Sequence, residues 1–287
     1  VYEGAPTPVT AFLSIGSKAG GFVIALRLLT AVFSKSTADW VLLFSILAAA
    51  SMIMGNLIAL AQSSVKRMLA YSSIAHIGYI LIGLIAGPQI GYSAVMFYLA
   101  VYGLMNLGAF AGVILVQNEI GSDRIEDFSG LIRKRPWLAL GLSLCLLNLA
   151  GLPIPPAGFL AKVFVFGAGL QIPIMIGQVN IGWVLVLIGL ATSIPAVYYY
   201  TRVIIKMIVR DPSERVEALG PDRGYFDSPQ MMPMWALGIC SVAIIAAGTF
   251  GVDPLMKLSK MAVAPLNQQS PTATPIGLLP GRNKLFE

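Results

Sequence analysis

Runs of apolar residues, at roughly 8–33, 40–62, 68–86, 91–116, 137–169, 178–209 and 231–250, divide this chain almost from end to end. A helix crossing a bilayer needs about 20 mostly apolar residues, since in hydrocarbon each backbone N–H and C=O must be satisfied within its own segment. The pattern predicts an all-α polytopic membrane protein with about seven transmembrane helices. Composition agrees, with 57% of the 287 residues hydrophobic and 11% charged, far from the balance of a soluble domain. The net charge of +6 does not point to nucleic acid, because the basic residues cluster in short connections, where they orient the spans. The two cysteines, Cys145 and Cys240, and the one histidine, His76, lack metal-ligand spacing. No metal site, haem, iron–sulfur cluster or other cofactor is therefore expected in this chain.

The connections at Ser34 to Asp39, Gln62 to Arg67, Gly87 to Gly91 and Gln171 to Gln178 carry breakers or polar residues, with Pro173 and Gly177 in the last. Counting sides alternately gathers Lys66, Arg67, Arg124, Arg133, Lys134, Arg135, Lys206, Arg210, Arg215 and Arg223 on one side. Lys35, Lys257, Lys260 and the tail charges fall on the other. The positive-inside tendency turns the first group toward the cytoplasm or its equivalent. Residues 1–267 read as one transmembrane domain and 268–287 as an irregular tail rich in Ser, Thr, Pro and Gly. The opening, Val1-Tyr2-Glu3-Gly4-Ala5-Pro6, reads as though cut from something longer, a fragment or a processed chain.

The fifth run is too long for one straight span. Its 33 residues would reach about 50 Å at about 1.5 Å each, against a hydrocarbon core of about 30 Å. Pro153, Pro155 and Pro156 remove three backbone donors within four positions, and Gly151 and Gly158 flank them with little resistance to bending. A helix discontinuous at Pro153 to Pro156 is expected, with freed backbone groups facing a cavity in the manner of transport sites.

Two lysines stand alone in apolar surroundings. Lys18 lies about 15 Å of helix beyond Pro8, near the bilayer midplane, and Lys162 lies four residues past Gly158, one turn into the helix that restarts after the break. A bare ammonium in hydrocarbon is costly, so such residues mark proton or ion paths more often than packing. The bland alternatives are a snorkelling side chain for Lys18 and an orientation anchor for Lys162. His76 follows Ser72 by four residues, on one helix face, and reads equally as a proton relay or a hydrogen-bonded core histidine. Lys66 beside Arg67 reads as a secondary relay or an ordinary positive-side anchor. Asn56, Gln62, Asn106 and Asn148 fit interhelical hydrogen bonds, with lining of a hydrated axis as the alternative. Tyr198-Tyr199-Tyr200 and Trp40, Trp137 and Trp183 read as interfacial or packing aromatics. Glu119, Asp123, Glu126, Asp127, Asp211, Glu214 and Asp253 all fall in loops or at span ends, which leaves Lys18 and Lys162 without a carboxylate partner inside any span.

Several motifs in order resemble the antiporter-like membrane subunits of respiratory complex I. They are Val1-Tyr2-Glu3-Gly4-Ala5-Pro6-Thr7-Pro8; Gly55-Asn56-Leu57-Ile58-Ala59-Leu60-Ala61-Gln62 through Lys66-Arg67-Met68-Leu69-Ala70-Tyr71-Ser72-Ser73; and Leu149-Ala150-Gly151-Leu152-Pro153 with Gly158-Phe159 and Lys162. The likeness is nearest the subunit 2 type, called N in bacteria and B in cyanobacteria and chloroplasts. Tyr198-Tyr199-Tyr200-Thr201-Arg202 through Met207 look like the cyanobacterial or plastid form. The resemblance implies the second half of a fourteen-helix fold with two inverted repeats, Lys18 as the central connecting lysine and Lys162 as the second broken-helix lysine. Lys66 and His76 match polar positions of that half, and the family's glutamate and first broken-helix lysine belong upstream of Val1. Pro153-Ile154-Pro155-Pro156-Ala157 departs from the single Pro-Pro pair of many members.

The function so implied is proton translocation coupled to quinone reduction elsewhere in a multi-subunit NAD(P)H or ferredoxin:quinone oxidoreductase. NAD(P)H or ferredoxin, iron–sulfur clusters and quinone would be bound by partner subunits of the membrane and peripheral arms, and lipids would surround this chain. A thylakoid membrane is implied, with a bacterial inner (plasma) membrane as the alternative. An Mrp-like cation/proton antiporter subunit and a non-conducting structural subunit are the rival readings.

Overall fold

The computed structural model describes residues 5–31, 37–172, 174–176, 179–220 and 230–269. Val1 to Gly4, Lys35, Pro173, Gly177, Gln178, Arg223 and residues 270–287 of the expected tail lie outside the described residues. The described chain is helical apart from short connections: α1 Thr7–Ala31, α2 Thr37–Leu60, α3 Val65–Ile85, α4 Gly91–Ile120, α5 Leu131–Lys134, α6 Pro136–Ala150, α7 Ala157–Leu170, α8 Ile181–Ile208, α9 Glu214–Glu217, α10 Met231–Thr249 and α11 Val252–Gln269. Six of these, α1, α2, α3, α4, α8 and α10, are long and apolar enough to cross a membrane. The fifth apolar run of the sequence is two shorter helices, α6 and α7, that together make the seventh, discontinuous span. The chain is an integral membrane protein.

Local chemistry explains the helix ends. Ser64 caps α3 by accepting from the Arg67 N–H at 3.1 Å, and Asn180 caps α8 by accepting from Gly182 N–H at 2.8 Å. Pro136 opens α6, where a missing donor costs nothing. Gly151 closes α6 at φ +82, its N–H bonded to the Asn148 carbonyl at 2.9 Å while Leu152 N–H reaches Leu147 at 3.2 Å, a left-handed cap that an L side chain resists. Between Gln171 and Ile181, where the sequence reads only as a broken connection, β1 Met175–Ile176 and β2 Val179–Asn180 pair antiparallel.

Burial decides the layering. In α3 and α4, 83% and 72% of the most apolar 18-residue stretch is buried, against 28–33% in α1, α2, α8 and α10. The first two form the centre and the others surround them, with α2 laid along α3, and α10, α6, α7 and α1 against α4. The outer faces carry exposed Leu43, Ile46, Leu187, Ile194 and Ile239, the surface a lipid solvent requires.

The basic connections meet at one end of the bundle. Val65 N–H donates to Asp123 O at 2.8 Å and Ile125 N–H to Ser63 O at 2.9 Å, which ties the start of α3 to the connection after α4. Arg133 pairs with Asp211 at 2.7 Å, Arg135 with Glu119 at 2.9 Å, Arg215 with Asp127 at 3.7 Å, and Lys206 with Glu126. Thr7 donates to the Gln117 side chain at 2.8 Å, which brings the start of α1 to the same end.

Helix α11 is not foreseen in the sequence reading, and it carries the chain to Gln269, two residues past the expected domain boundary at 267. Its Val252, Leu255, Met256, Val263 and Leu266 fall on one helical face and pack on the core. That pattern, interrupted by Asp253, Lys257 and Lys260, is too polar for a span and suits a helix lying on the bundle.

Candidate functional site

Lys18 stands eleven residues into α1 and His76 eleven residues into α3, each about 16 Å below the basic end at about 1.5 Å per residue. Tyr79 lies one turn beyond His76. These positions bring α1, α3, α4 and the broken span together around a polar cluster in the apolar interior.

The Lys18 Nζ donates to the Ser73 carbonyl at 2.7 Å and to the Tyr102 hydroxyl at 3.3 Å, and stands 5.2 Å from the Tyr102 ring centre. A backbone carbonyl has two lone pairs, so the Ser73 oxygen can accept the ammonium within α3, while the Ser73 hydroxyl donates to the Ala70 carbonyl at 2.5 Å. Lys162, 6% exposed, donates to the Ala150 carbonyl at 2.9 Å and stands 5.2 Å from the Tyr79 ring centre. Ala150 is the last residue of α6, so its carbonyl is one that the break leaves without an intrahelical partner. A cation over a tyrosine face and against a carbonyl dipole recovers part of the hydration it has lost. Among the described residues, neither ammonium forms an ion pair with a carboxylate.

His76 lies between the two lysine sites. Its ring centre is 4.9 Å from that of Tyr102 and 5.7 Å from that of Tyr79, the two rings that face Lys18 and Lys162. Its Nδ1 and the Tyr98 hydroxyl are 2.7 Å apart, in a hydrogen bond whose direction follows the imidazole tautomer. Two lysines, a histidine and phenolic hydroxyls supply groups that can hold or release a proton.

The break is built from Pro153, Pro155, Pro156, Gly151 and Gly158, with Pro156 at the N-cap of α7. Asn148 holds it, accepting the Gly158 N–H at 3.2 Å and donating to Leu144 O at 3.0 Å. A Cβ on Gly158 would overlap the Asn148 carbonyl, and one on Gly151 would come within 2.8 Å of the Lys162 Nζ. Both glycines are therefore contacts, one between the half-helices and one between the break and the ammonium.

Lys66 is not part of this cluster. It lies at the start of α3, its Nζ donating to the Ala5 carbonyl at 2.6 Å, ten residues from His76. Ser72 shares the helix with His76 but donates to Leu69 O at 2.8 Å. The buried asparagines join helices: Asn106 donates to Ser14 at 2.5 Å, and Asn56 donates to the Tyr79 hydroxyl and accepts from Tyr199, both at 3.1 Å.

The tyrosines are what the sequence reading misses. Tyr79, Tyr98, Tyr102, Tyr199 and Tyr200 are each at most 1% exposed, whereas Tyr198 faces outward at 61%. Tyr98 and Tyr102, four apart within a span, carry a usable signal, because a mid-span phenol needs a hydrogen-bond partner. Tyr199 and Tyr200 are hidden by Tyr198, since three consecutive residues do not show which of them turns inward.

A family model described as NADH:quinone oxidoreductase/Mrp antiporter, TM, matches residues 1–194. NAD(P)H-quinone oxidoreductase subunit 2 of Prochlorococcus marinus is 49% identical over 268 residues, covering 92% of this chain and 51% of that protein. A chain of respiratory complex I from Thermus thermophilus is 34% identical with a TM-score of 0.68, covering 89% of this chain and 52% of that one. A chain of the Mrp complex from Dietzia sp. shares the fold, with a TM-score of 0.74 at 23% identity, covering 91% and 53%. The chain thus spans about half the length of the relatives it matches.

Proposed function

From the premise that this chain belongs to the NADH:quinone oxidoreductase/Mrp antiporter membrane family, we propose that it is part of a proton-translocating subunit of a multi-subunit NAD(P)H or ferredoxin:quinone oxidoreductase. The observation that carries the reading is the pair of carboxylate-free ammoniums, half-buried Lys18 and buried Lys162, each on a tyrosine face with His76 between those faces. Protonating one site disfavours positive charge at the other, so loading and unloading alternate and a proton moves along the membrane plane. Lys18 and Lys162 act as the carriers and His76 as the intermediate group. Lys66, tied to Ala5 at the basic end, acts where protons enter or leave. Electron transfer belongs to partner subunits of the membrane and peripheral arms, which hold the iron–sulfur clusters, the quinone and the electron donor, and lipid covers the apolar outer faces. The cyanobacterial relatives favour a thylakoid membrane over a bacterial plasma membrane.

The test is proton uptake by vesicles bearing the intact complex with Lys162→Ala or Lys18→Ala. Loss of pumping with normal assembly is expected, and unchanged pumping and assembly sink the relay in favour of a purely structural subunit. The fold shared with an Mrp complex supports a second reading, cation/proton exchange. Sodium-dependent proton movement in vesicles without any quinone reductase would select it.

A further inference from the structure

One face of α8 is apolar and exposed along most of its length. Leu187, Ile194, Tyr198, Ile205 and Val209, the last just past the helix end, follow one another at three, four or seven residues, or multiples of those steps, and all are exposed. That is the spacing of a single helical face. Arg202 stands in the same register, four residues after Tyr198 and three before Ile205, and is half-buried. Its Nη2 donates to the Gln62 carbonyl at 2.7 Å. Gln62 lies two residues past the end of α2, in the connection to α3, so the guanidinium sits at the basic end, where a bilayer passes from hydrocarbon to headgroups.

The protein leaves that cation incompletely matched. Arg133, Arg135, Lys206 and Arg215 at the same end each meet a carboxylate, whereas among the described residues Arg202 forms no ion pair and its Nε has no hydrogen-bond partner. A guanidinium is a planar fork of donors suited to two oxygens of one anion, and a carbonyl on one Nη neither neutralises it nor fills the fork. The side chains around it indicate what lies on the stripe. Transmembrane helices approach one another through small residues, such as Gly16 and Gly20 on the exposed face of α1, whereas α8 presents branched and aromatic groups. From Arg202 to Leu187 is 15 residues, about 22 Å of helix, which exceeds the roughly 15 Å of hydrocarbon in one leaflet. The stripe is long enough for an acyl chain, with an unmatched positive charge at the height of its headgroup.

We propose that Arg202 binds the phosphate of an anionic phospholipid whose acyl chains lie along Tyr198, Ile194 and Leu187. The phosphate oxygens accept from the guanidinium, and Arg210, exposed two residues past the end of α8, adds a second positive charge on the water side. A neutral lipid covers the same apolar groups but leaves the guanidinium without a counter-charge. The site requires only that this face of α8 meets lipid, and it is independent of the proton relay.

The test uses the intact complex in phosphatidylcholine nanodiscs with a trace of phosphatidylglycerol or phosphatidylcholine carrying a photoreactive diazirine on an acyl chain. Labelled peptides are mapped by mass spectrometry after illumination. The α8 segment around Ile194 and Tyr198 is expected to take the phosphatidylglycerol label about tenfold more than the phosphatidylcholine label, while the exposed face of α2 at Leu43 and Ile46 takes the two alike. Arg202→Gln keeps a donor for Gln62 and removes the charge, and it is expected to lower phosphatidylglycerol labelling of α8 to the phosphatidylcholine level; Arg202→Lys is expected to keep part of the preference. Equal labelling of α8 by the two lipids in the native chain overturns the proposal without any variant. So does labelling by neither lipid, which means that a neighbouring subunit covers the stripe. A preference that survives Arg202→Gln places the phosphate elsewhere and overturns the assignment to Arg202. Native pumping by Lys162→Ala, which sinks the relay, leaves this lipid site standing.

Discussion

Gly151→Ala tests the link between the helix break and the ammonium it holds. Gly151 sits at φ +82, and a Cβ built there lies 2.8, 2.9 and 3.0 Å from Nζ, Cδ and Cε of Lys162. The left-handed backbone costs an alanine about 1–2 kcal/mol. The contacts are all short of van der Waals separation, so the lysine stem must move, and the 2.9 Å bond to Ala150 O is the interaction it gives up. A hydrogen bond to a charged group is worth about 1.5–3 kcal/mol, so the full cost is about 2.5–5 kcal/mol on these terms. In a Lys162→Ala background the steric part disappears and only the backbone part, about 1–2 kcal/mol, remains. The measurement is a double-mutant cycle by chemical denaturation of the complete subunit in mild detergent, with proton uptake recorded in parallel. A coupling of about 1.5 kcal/mol or more is expected between the two positions. Equal costs of Gly151→Ala in both backgrounds would refute the claim that the glycine makes room for the ammonium.

Gly158→Ala forces α6 and α7 apart, because the new methyl overlaps the Asn148 carbonyl and strains the 3.2 Å bond from Gly158 N–H to the Asn148 side chain. Overpacking of this kind costs about 1–3 kcal/mol, read as a lower denaturation midpoint. Arg135→Ala removes an ion pair at 2.9 Å whose two side chains are each only 10% exposed, for a loss of about 3 kcal/mol. Arg133→Ala breaks a pair that is 57% and 90% exposed and should stay within about 1 kcal/mol of native; equal effects at the two arginines would contradict this ranking by burial. His76→Phe keeps a ring between Tyr79 and Tyr102 but removes the bond to Tyr98 and the titrating nitrogens. Pumping should fall about a hundredfold while assembly is retained, and native pumping would reduce His76 to a core residue.

The sequence alone determines the number of spans, the place where one of them breaks, and the side on which the charges gather. These follow from one-dimensional rules: about 20 apolar residues to cross hydrocarbon, no backbone donor at proline, and basic residues in short connections. Even the carbonyl partner of Lys162 is foreshadowed, since a helix ending at Gly151 must leave carbonyls free near a lysine one turn past Gly158. Tertiary structure decides what surrounds those lysines. Apolar periodicity is nearly silent in a chain whose outer faces are as oily as its interior, so it cannot say that Tyr79, Tyr98, Tyr102, Tyr199 and Tyr200 turn inward while Tyr198 turns out. Tertiary structure also decides where the Lys66 ammonium ends up, on the Ala5 carbonyl at the basic end and ten residues along α3 from His76. The fold alone brings α1, α3, α4 and α7 together, so that a histidine 58 residues from Lys18 and 86 from Lys162 comes to lie between the tyrosines that face them. In a bilayer, polar groups gather wherever packing allows them to satisfy one another, and helix packing is a property of surfaces that no single segment contains.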